Sequence, residues 1–203
     1  YALCRKKYRM LLPLLPRLIE KFDLSEYDLV ISSSHCVAKS VIPRAGVPHV
    51  CYCHSPMRYV WDLYPTYWKH GGLAAKIALP LFRKRLQRWD VATANRVTHY
   101  IANSRNIANK ILEYYGRDAE VIHPPTDCGF YQPGAAPPGD YYFICSAMVP
   151  YKRLDLAIEA CRKLGRHLVI AGSGPDRERL ERLGGGEVEF TQGWITDERL
   201  RAL

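Results

Sequence analysis

The sequence predicts an α/β protein made of two doubly wound parallel-sheet units, each incomplete. Three observations carry that prediction. Short apolar runs alternate with segments of helical periodicity along most of the chain, the pattern of parallel strands joined by crossover helices. A Pro-, Gly- and Ala-rich stretch, DCGFYQPGAAPPGD at 127–140, interrupts the alternation once. The charge divides at the same place: residues 1–130 hold 19 Lys and Arg against 10 Asp and Glu, and residues 131–203 hold 10 against 10, so the net charge of +9 lies in the first segment. The expected organisation is a first unit over 1–130, a linker over 131–140 and a second unit over 141–203.

Composition narrows the class. With 48% hydrophobic and 24% charged residues in 203, the chain is not collagen, a coiled coil or wholly disordered. No apolar run reaches the ~18 residues of a bilayer-spanning helix, and no secretory leader pattern opens it. It starts at Tyr1 and stops at Leu203 inside what reads as an unfinished helix, so it is expected to be a piece of something longer. Seven cysteines without a C-x-x-C pair lack zinc-ribbon spacing. Several stand where a small buried hydrophobe belongs, which reads as a reducing cytosol with neither disulfides nor a metal. The excess of basic charge suits an anionic partner: nucleic acid, acidic lipid or a phosphorylated substrate, against the plainer reading of a solvated basic face.

In the first unit, residues 5–21 are basic and leucine-rich, with Pro13 and Pro16 breaking any continuous helix. YDLVISSS at 27–34 reads as a buried parallel strand, HCVAKSVI as a short helix, and HVCYCH at 49–54 as a second strand ended by Pro56. Cys51 and Cys53 alternate along it, so both face one side. A long helix runs from about Leu73 to Asn95 with a basic face at Arg83, Lys84, Arg85 and Arg88. A third strand at 98–104, a helix through Tyr115 and a fourth strand at 119–125 complete the unit.

The second unit reads βαβαβα. Its strands are YYFICSA at 141–147, the first part of HLVIAGSG at 167–174, which ends in a turn, and EVEFTQGW at 187–194. The first helix carries Leu154, Ile158 and Cys161 at helical spacing. The second has Pro175 in its first turn, and the third is capped by Thr196 with Asp197 and Glu198 behind it. Both units are thus Rossmann-like.

Open parallel sheets bind ligands beyond the carboxyl ends of their strands. After the strand at 141–147 come Lys152 and Arg153 at a helix start, where free amides and the helix dipole favour phosphate. After 167–172 come Gly172 and Gly174, which let a backbone approach closely. After 187–191 come Gly193, Trp194 and Ile195, placed to hold a flat base, although an aromatic residue at such a position is more often core. In the first unit His54 ends a strand and leads into Arg58 and Tyr59. It could hydrogen-bond a sugar hydroxyl or accept a proton. His35 stands similarly after the first strand, and Asn103 and Ser104 follow the third.

The stretches YDLVISSSHCVAKSV, HVCYCHSPMRYVWD, YIANSRNIANKI, VIHPPTD, YYFICSAMVPYKRLDLAIEA, VIAGSGP and FTQGWITDERL together resemble glycosyltransferase family 4, the group 1 transferases, most closely its WbaZ-like mannosyltransferase-type members. The resemblance implies the GT-B fold, two Rossmann-like domains with a cleft between them, and a nucleotide-sugar donor held mainly by the second. It implies retention of anomeric configuration without an essential metal or resident cofactor, and GDP-mannose as the donor. Lys152 matches the family's diphosphate-binding lysine, with Arg153, Gly172 and Gly174 beside it. Gly193, Trp194 and Ile195 match the base-binding loop, and His54 the histidine near the donor sugar. Arg58 and Tyr59 fall on the acceptor side.

The family's arginine five residues before the lysine is replaced by Ala147. Its glycine-rich N-terminal loop is not present, and its E-x7-E element would lie beyond Leu203. Little or no transferase activity is therefore expected of this polypeptide alone. The acceptor implied is a glycan or lipid-linked molecule. The basic first unit would contact the inner face of a membrane in the cytoplasm.

Two other classes compete with this one. A nicotinamide-linked oxidoreductase needs the full G-x-G-x-x-G with its acidic partner, which neither unit offers. A non-catalytic nucleic-acid or anionic-surface binder would use the basic face at 83–88, but no nucleic-acid-binding motif supports it.

Overall fold

The computed structural model describes residues 11–62, 64, 65, 68, 73–134, 137, 139–191 and 193–203. Residues 5–10 of the expected basic N-terminal helix, and Cys4, lie outside them. The chain separates into two units, Tyr1–Pro125 and Thr126–Leu203. Each contains a parallel sheet, as the alternation predicts.

The first sheet has four strands, β1 (Val30–Ser34), β2 (His49–Cys53), β3 (His99–Ala102) and β4 (Glu120–Val121), in the order β1-β2-β3-β4. Val30 lies opposite His49, Val50 opposite His99 and Ile101 opposite Glu120. Helix α1 (Leu15–Ile19) precedes β1, α2 (Leu73–Ala92) precedes β3, and α3 (Arg105–Tyr115) joins β3 to β4. Within α1, Pro16 stands in the first turn, where a missing N–H is tolerated.

The helix expected over 35–42 is only a 3-10 turn, Ala38–Ser40. Pro43 disfavours the helical conformation at the residue before it, and Val41 is already extended, with φ −57° and ψ 161°. The fourth strand is likewise shorter than expected, at two residues, before the prolines end it.

Helix α3 is bounded by local chemistry. The Ser104 side chain accepts from the Ile107 amide, and Gly116 takes the left-handed conformation that closes it. Its buried residues Ile107, Ile111 and Tyr115 pack on Cys51, Cys53, Tyr100 and Ala102, so the two cysteines do share the core face. On the opposite face Ile31 is 71% exposed. A second cluster, built on Leu12, Met57, Tyr59, Val60 and Leu86, joins the loop after β2 to α2.

The second sheet has the order β5-β6-β7, with β5 (Tyr141–Cys145), β6 (His167–Ala171) and β7 (Val188–Phe190). Tyr141 pairs opposite His167, and Leu168 opposite Val188. Helix α4 (Leu154–Leu164) buries Leu154, Ile158 and Cys161, the three residues its periodicity singles out. Helix α5 (Arg177–Gly184) begins later than expected. Its cap position is Asp176, so Pro175 precedes the helix rather than entering its first turn. The Asp176 amide is held by the Met148 carbonyl at 3.1 Å, which sets the start. Helix α6 (Asp197–Ala202) is capped by Thr196, whose side chain accepts from the Arg199 amide. Among the described residues no helix is long and apolar enough to cross a membrane.

Candidate functional site

In the second unit the loops leaving β5 and β6 are bonded to each other. The Ser146 amide donates to the Ala171 carbonyl at 3.0 Å, and the Met148 amide to the Ser173 carbonyl at 2.9 Å. This proximity explains two of the predicted glycines. A Cβ on Gly172 would lie 2.1 Å from the Ser146 oxygen, and one on Gly174 would lie 2.2 Å from the Met148 oxygen. Their bareness admits the neighbouring loop.

Beyond these carboxyl ends opens a cavity of about 320 Å³. Four of the predicted residues, Gly172, Gly193, Trp194 and Ile195, line it together, joined by Cys145, Ser146, Ser173, Asp197 and Leu200. Trp194 is 94% exposed, so it is not the core residue that aromatic chains at such positions usually are. Asp197 is the lining residue that sequence reasoning placed only as part of a helix start. Its signal was its position three residues after Trp194.

Lys152, Arg153 and Gly174 are not among the lining residues. Lys152 is exposed and ends a 3-10 turn, Pro150–Lys152. It makes no ion pair among the described residues. Arg153 follows in the left-handed conformation, φ 52° and ψ 42°, as the residue capping α4. Its Nε donates to both carboxylate oxygens of Asp155, at 3.0 and 3.2 Å. That pairing raises the arginine's pKa above its usual value and holds the Asp155 carboxyl below its own. The charges of Arg153 and Asp155 offset one another, leaving Lys152 as the unpaired cation at this turn.

In the first unit a row of polar residues follows the strands: His35 after β1, His54 after β2, Asn103 after β3 and His123 shortly after β4. His54 is held on three sides. Its amide donates to the Ser34 carbonyl at 2.8 Å, its Nε2 lies 2.8 Å from Ser33 Oγ, and its carbonyl accepts from Asn103 Nδ2 at 3.3 Å. Tyr52 meets the imidazole edge-on, with centroids 5.1 Å apart. His123, which sequence reasoning did not single out, donates from Nδ1 to the Asn103 carbonyl at 3.1 Å. The rule that selected His54, a polar residue just past a strand, would have found it.

Arg58 stands near this row. Partial burial, then the charge of Arg58, then His54 push the His35 pKa below its usual value, so His35 is neutral at neutral pH. The buried Nε of Arg58 has no hydrogen-bond partner. Tyr59 is 8% exposed and packs in the cluster with Met57 and Leu86. The following residues anchor the loop. Trp61 Nε1 donates to Asp90 Oδ2 at 2.8 Å and its ring stacks on Tyr114 at 4.4 Å. Asp62 accepts from Lys110 Nζ at 2.5 Å and from the Tyr114 hydroxyl at 2.6 Å. Among the described residues no group of three or more His, Cys, Asp and Glu could hold a metal ion.

Comparison with known proteins adds one match. The family model described as Glycosyltransferase Family 4 matches residues 1–130. No curated protein matches the chain.

Proposed function

The chain belongs to glycosyltransferase family 4, and from that premise we propose that it serves a retaining, metal-independent hexosyl transfer from a nucleotide sugar, as a WbaZ-like mannosyltransferase using GDP-mannose. The observation that carries the reading is the cavity beyond β5, β6 and β7, with Gly172, Gly193, Ile195 and the exposed Trp194 in its wall. In an open parallel sheet this is where a nucleotide belongs, and an exposed indole offers a face for a base.

Transfer breaks the bond between the sugar C1 and the diphosphate oxygen and forms one from C1 to an acceptor hydroxyl. The bonding pair leaves with the nucleoside diphosphate, whose departing oxygen takes up the proton that the acceptor hydroxyl gives up. Lys152, at the turn that leads into α4, meets the charge growing on that diphosphate. Electrostatic preorganisation of this kind is often the largest single catalytic term. His54, fixed through Ser33, Ser34 and Asn103, orients the sugar or the acceptor, and Arg58 receives an anionic part of the acceptor. No resident cofactor is assigned.

The acceptor we assign is a glycan or lipid-linked molecule, reached at the cytoplasmic face of a membrane. Exposed Ile77, Leu81, Lys84, Arg85 and Arg88 recur at helical spacing along α2, apolar at one end and basic at the other. Such a stripe suits an anionic lipid surface. The groove between α1 and α2, about 390 Å³ and also lined by Arg85, adds Leu14 and Arg17. Nucleic acid is not part of the reading.

The test is a thermal-shift and calorimetric panel of GDP- and UDP-sugars on the 203-residue chain. Stabilisation by nucleotide sugars and not by the free sugars is expected, about 2.7 kcal/mol at 100 times Kd. Failure of every nucleotide sugar to bind refutes the proposal.

A further inference from the structure

We propose that Arg58 and His35, with His54 beside them, bind the phosphoryl group of a phosphorylated acceptor; the inference rests on the reading of Arg58 as an acceptor ligand and names the chemistry it meets. Arg58 stands between buried Met57 and buried Tyr59, which hold its backbone in the cluster with Leu12, Val60 and Leu86. Its side chain is half-buried, its buried Nε has no hydrogen-bond partner, and it makes no ion pair among the described residues. Such a guanidinium has lost water without gaining an acceptor. Its planar fork suits an oxyanion that takes two parallel hydrogen bonds.

Strand register brings the imidazoles to the same place. Ser34 lies opposite Cys53, so the residues that follow, His35 and His54, leave the carboxyl edge of the sheet on neighbouring strands about 4.8 Å apart. The His54 amide donates to the Ser34 carbonyl at 2.8 Å. His35 is exposed, so its ring is open to a ligand. The charges that act on it are those of Arg58 and then His54, both basic. On its own turn the Cys36 thiol is pushed by burial up to about 12 and stays neutral, and Lys39 is paired with Asp90 of α2. Asp90 is further occupied by Trp61 and by Tyr115 of α3. Beyond His54 stand Asn103 and His123. None of these neighbours is an uncompensated carboxylate, so an anion here meets donors.

A carboxylate would be served by Arg58 alone. A phosphoryl dianion has a third oxygen and a second charge, and it calls for a second cation. His35 becomes that cation by taking up a proton. In the free protein partial burial, then Arg58, then His54 hold its pKa below the usual 6.5. A dianion between Arg58 and His35 reverses the field on the imidazole. Binding is therefore coupled to proton uptake and strengthens as pH falls.

Titration of the 203-residue chain with sulfate, a phosphoryl mimic whose charge is constant over this pH range, tests the site. Histidine ring signals in NMR report it, with those of His35 assigned through His35→Gln. Saturable movement of the His35 signals at constant ionic strength is expected, with sulfate held about tenfold or more tightly at pH 5.5 than at pH 7.5, the worth of one hydrogen bond to a charged group. Arg58→Gln should weaken sulfate by about tenfold or more, and His35→Gln should cut the pH effect to less than about threefold, on the same reckoning. The wild-type titration is independent of how either variant folds. His35 signals that sulfate leaves unmoved overturn the site, and so does a full pH effect in His35→Gln. A hexose 1-phosphate and geranyl phosphate then separate a soluble from a lipid-borne acceptor. Either one bound more tightly than sulfate supports the assignment and names the source; if neither is, the site holds an adventitious ion only and the assignment is overturned. If sulfate fails here while GDP-sugars bind, the transferase reading stands without this site. If sulfate binds here and no nucleotide sugar binds the chain, the transferase reading falls while the anion site remains.

Discussion

Lys39 Nζ stands 3.2 Å from Asp90 Oδ1, with the two side chains 1% and 0% exposed. The ammonium also donates to the Asp90 carbonyl at 2.7 Å and to Ser40 and Thr93 hydroxyls at 3.3 Å. Asp90 Oδ2 accepts from Trp61 and Tyr115, each at 2.8 Å, while Oδ1 has the ion pair and no hydrogen bond. Burial pushes the Lys39 pKa below its usual value against the pull of Asp90. The pair ties the turn after β1 to α2, α3 and the loop after β2, the segments that present His35, His54 and Arg58. Replacing one partner strands the other charge in the core. Lys39→Met is expected to cost about 3–5 kcal/mol in urea unfolding, and Lys39→Met with Asp90→Leu less than the sum of the two single changes.

The bonded loops after β5 and β6 set a second expectation. At Gly172 and Gly174 a methyl group would meet a backbone oxygen that no rotamer change can move. Gly172→Ala and Gly174→Ala should each destabilise by more than ~1 kcal/mol and weaken nucleotide binding. Gly186→Ala, with nothing within 4 Å of its Cβ, is the control. Equal melting temperatures for all three would disprove the packing role.

His49 sets a pH dependence. It is fully buried and donates from Nδ1 to the Arg96 carbonyl at 3.2 Å, so its Nε2 accepts from Ser32 Oγ at 2.8 Å. Burial lowers its pKa, only partly opposed by the Arg96 carbonyl. Below its ordinary value of 6.5 the unfolded chain takes up a proton that the folded chain refuses. Stability is therefore lost as pH falls through 6.5 toward the folded value, and His35 adds to the loss in the same direction. Denaturation midpoints should drop between pH 7.5 and 5.5, with a shallower slope in His49→Gln. An unchanged slope in that variant would place the effect elsewhere.

Lys152 and Arg153 should differ as donor ligands although they are adjacent. Lys152→Ala is expected to weaken GDP-sugar binding by about 10-fold or more, the loss of a hydrogen bond to a charged group. Arg153, already engaged by Asp155, should matter by no more than about threefold on the same reckoning. Equal losses in calorimetry would mean that Arg153 leaves Asp155 when the ligand arrives.

The exposed basic stripe of α2 makes a prediction for membranes. Vesicles containing phosphatidylglycerol should sediment the chain, phosphatidylcholine vesicles should not, and salt should release it. Lys84→Glu with Arg88→Glu should reduce sedimentation while leaving nucleotide binding intact. Binding indifferent to lipid charge would discard the stripe.

Much of this architecture was legible in advance. Apolar runs of strand length marked the strands, but the burial on both faces expected of the first did not follow: β1 alternates buried Val30, Ser32 and Ser34 with exposed Ile31 and Ser33. Leu154, Ile158 and Cys161 announced the buried face of α4, and Thr196 the cap of α6, because both effects act over one or two turns of helix. The reading missed where a single residue overrules a local pattern. Pro43 reduced the expected helix at 35–42 to one turn, and the Met148 carbonyl moved the start of α5 past Pro175.

By itself, then, the sequence determined the alternation of strands and helices, the class of the sheets and the places just past the strands where chemistry belongs. Only the tertiary structure decided which of those places share a cavity, that Gly172 and Gly174 serve a neighbouring loop, that Trp194 faces outward, and that Lys39 meets Asp90 from 51 residues away. Periodicity and capping arise from sterics within a few residues of the chain. Burial and charge pairing arise from strand register and helix docking, which bring together residues that no local pattern relates.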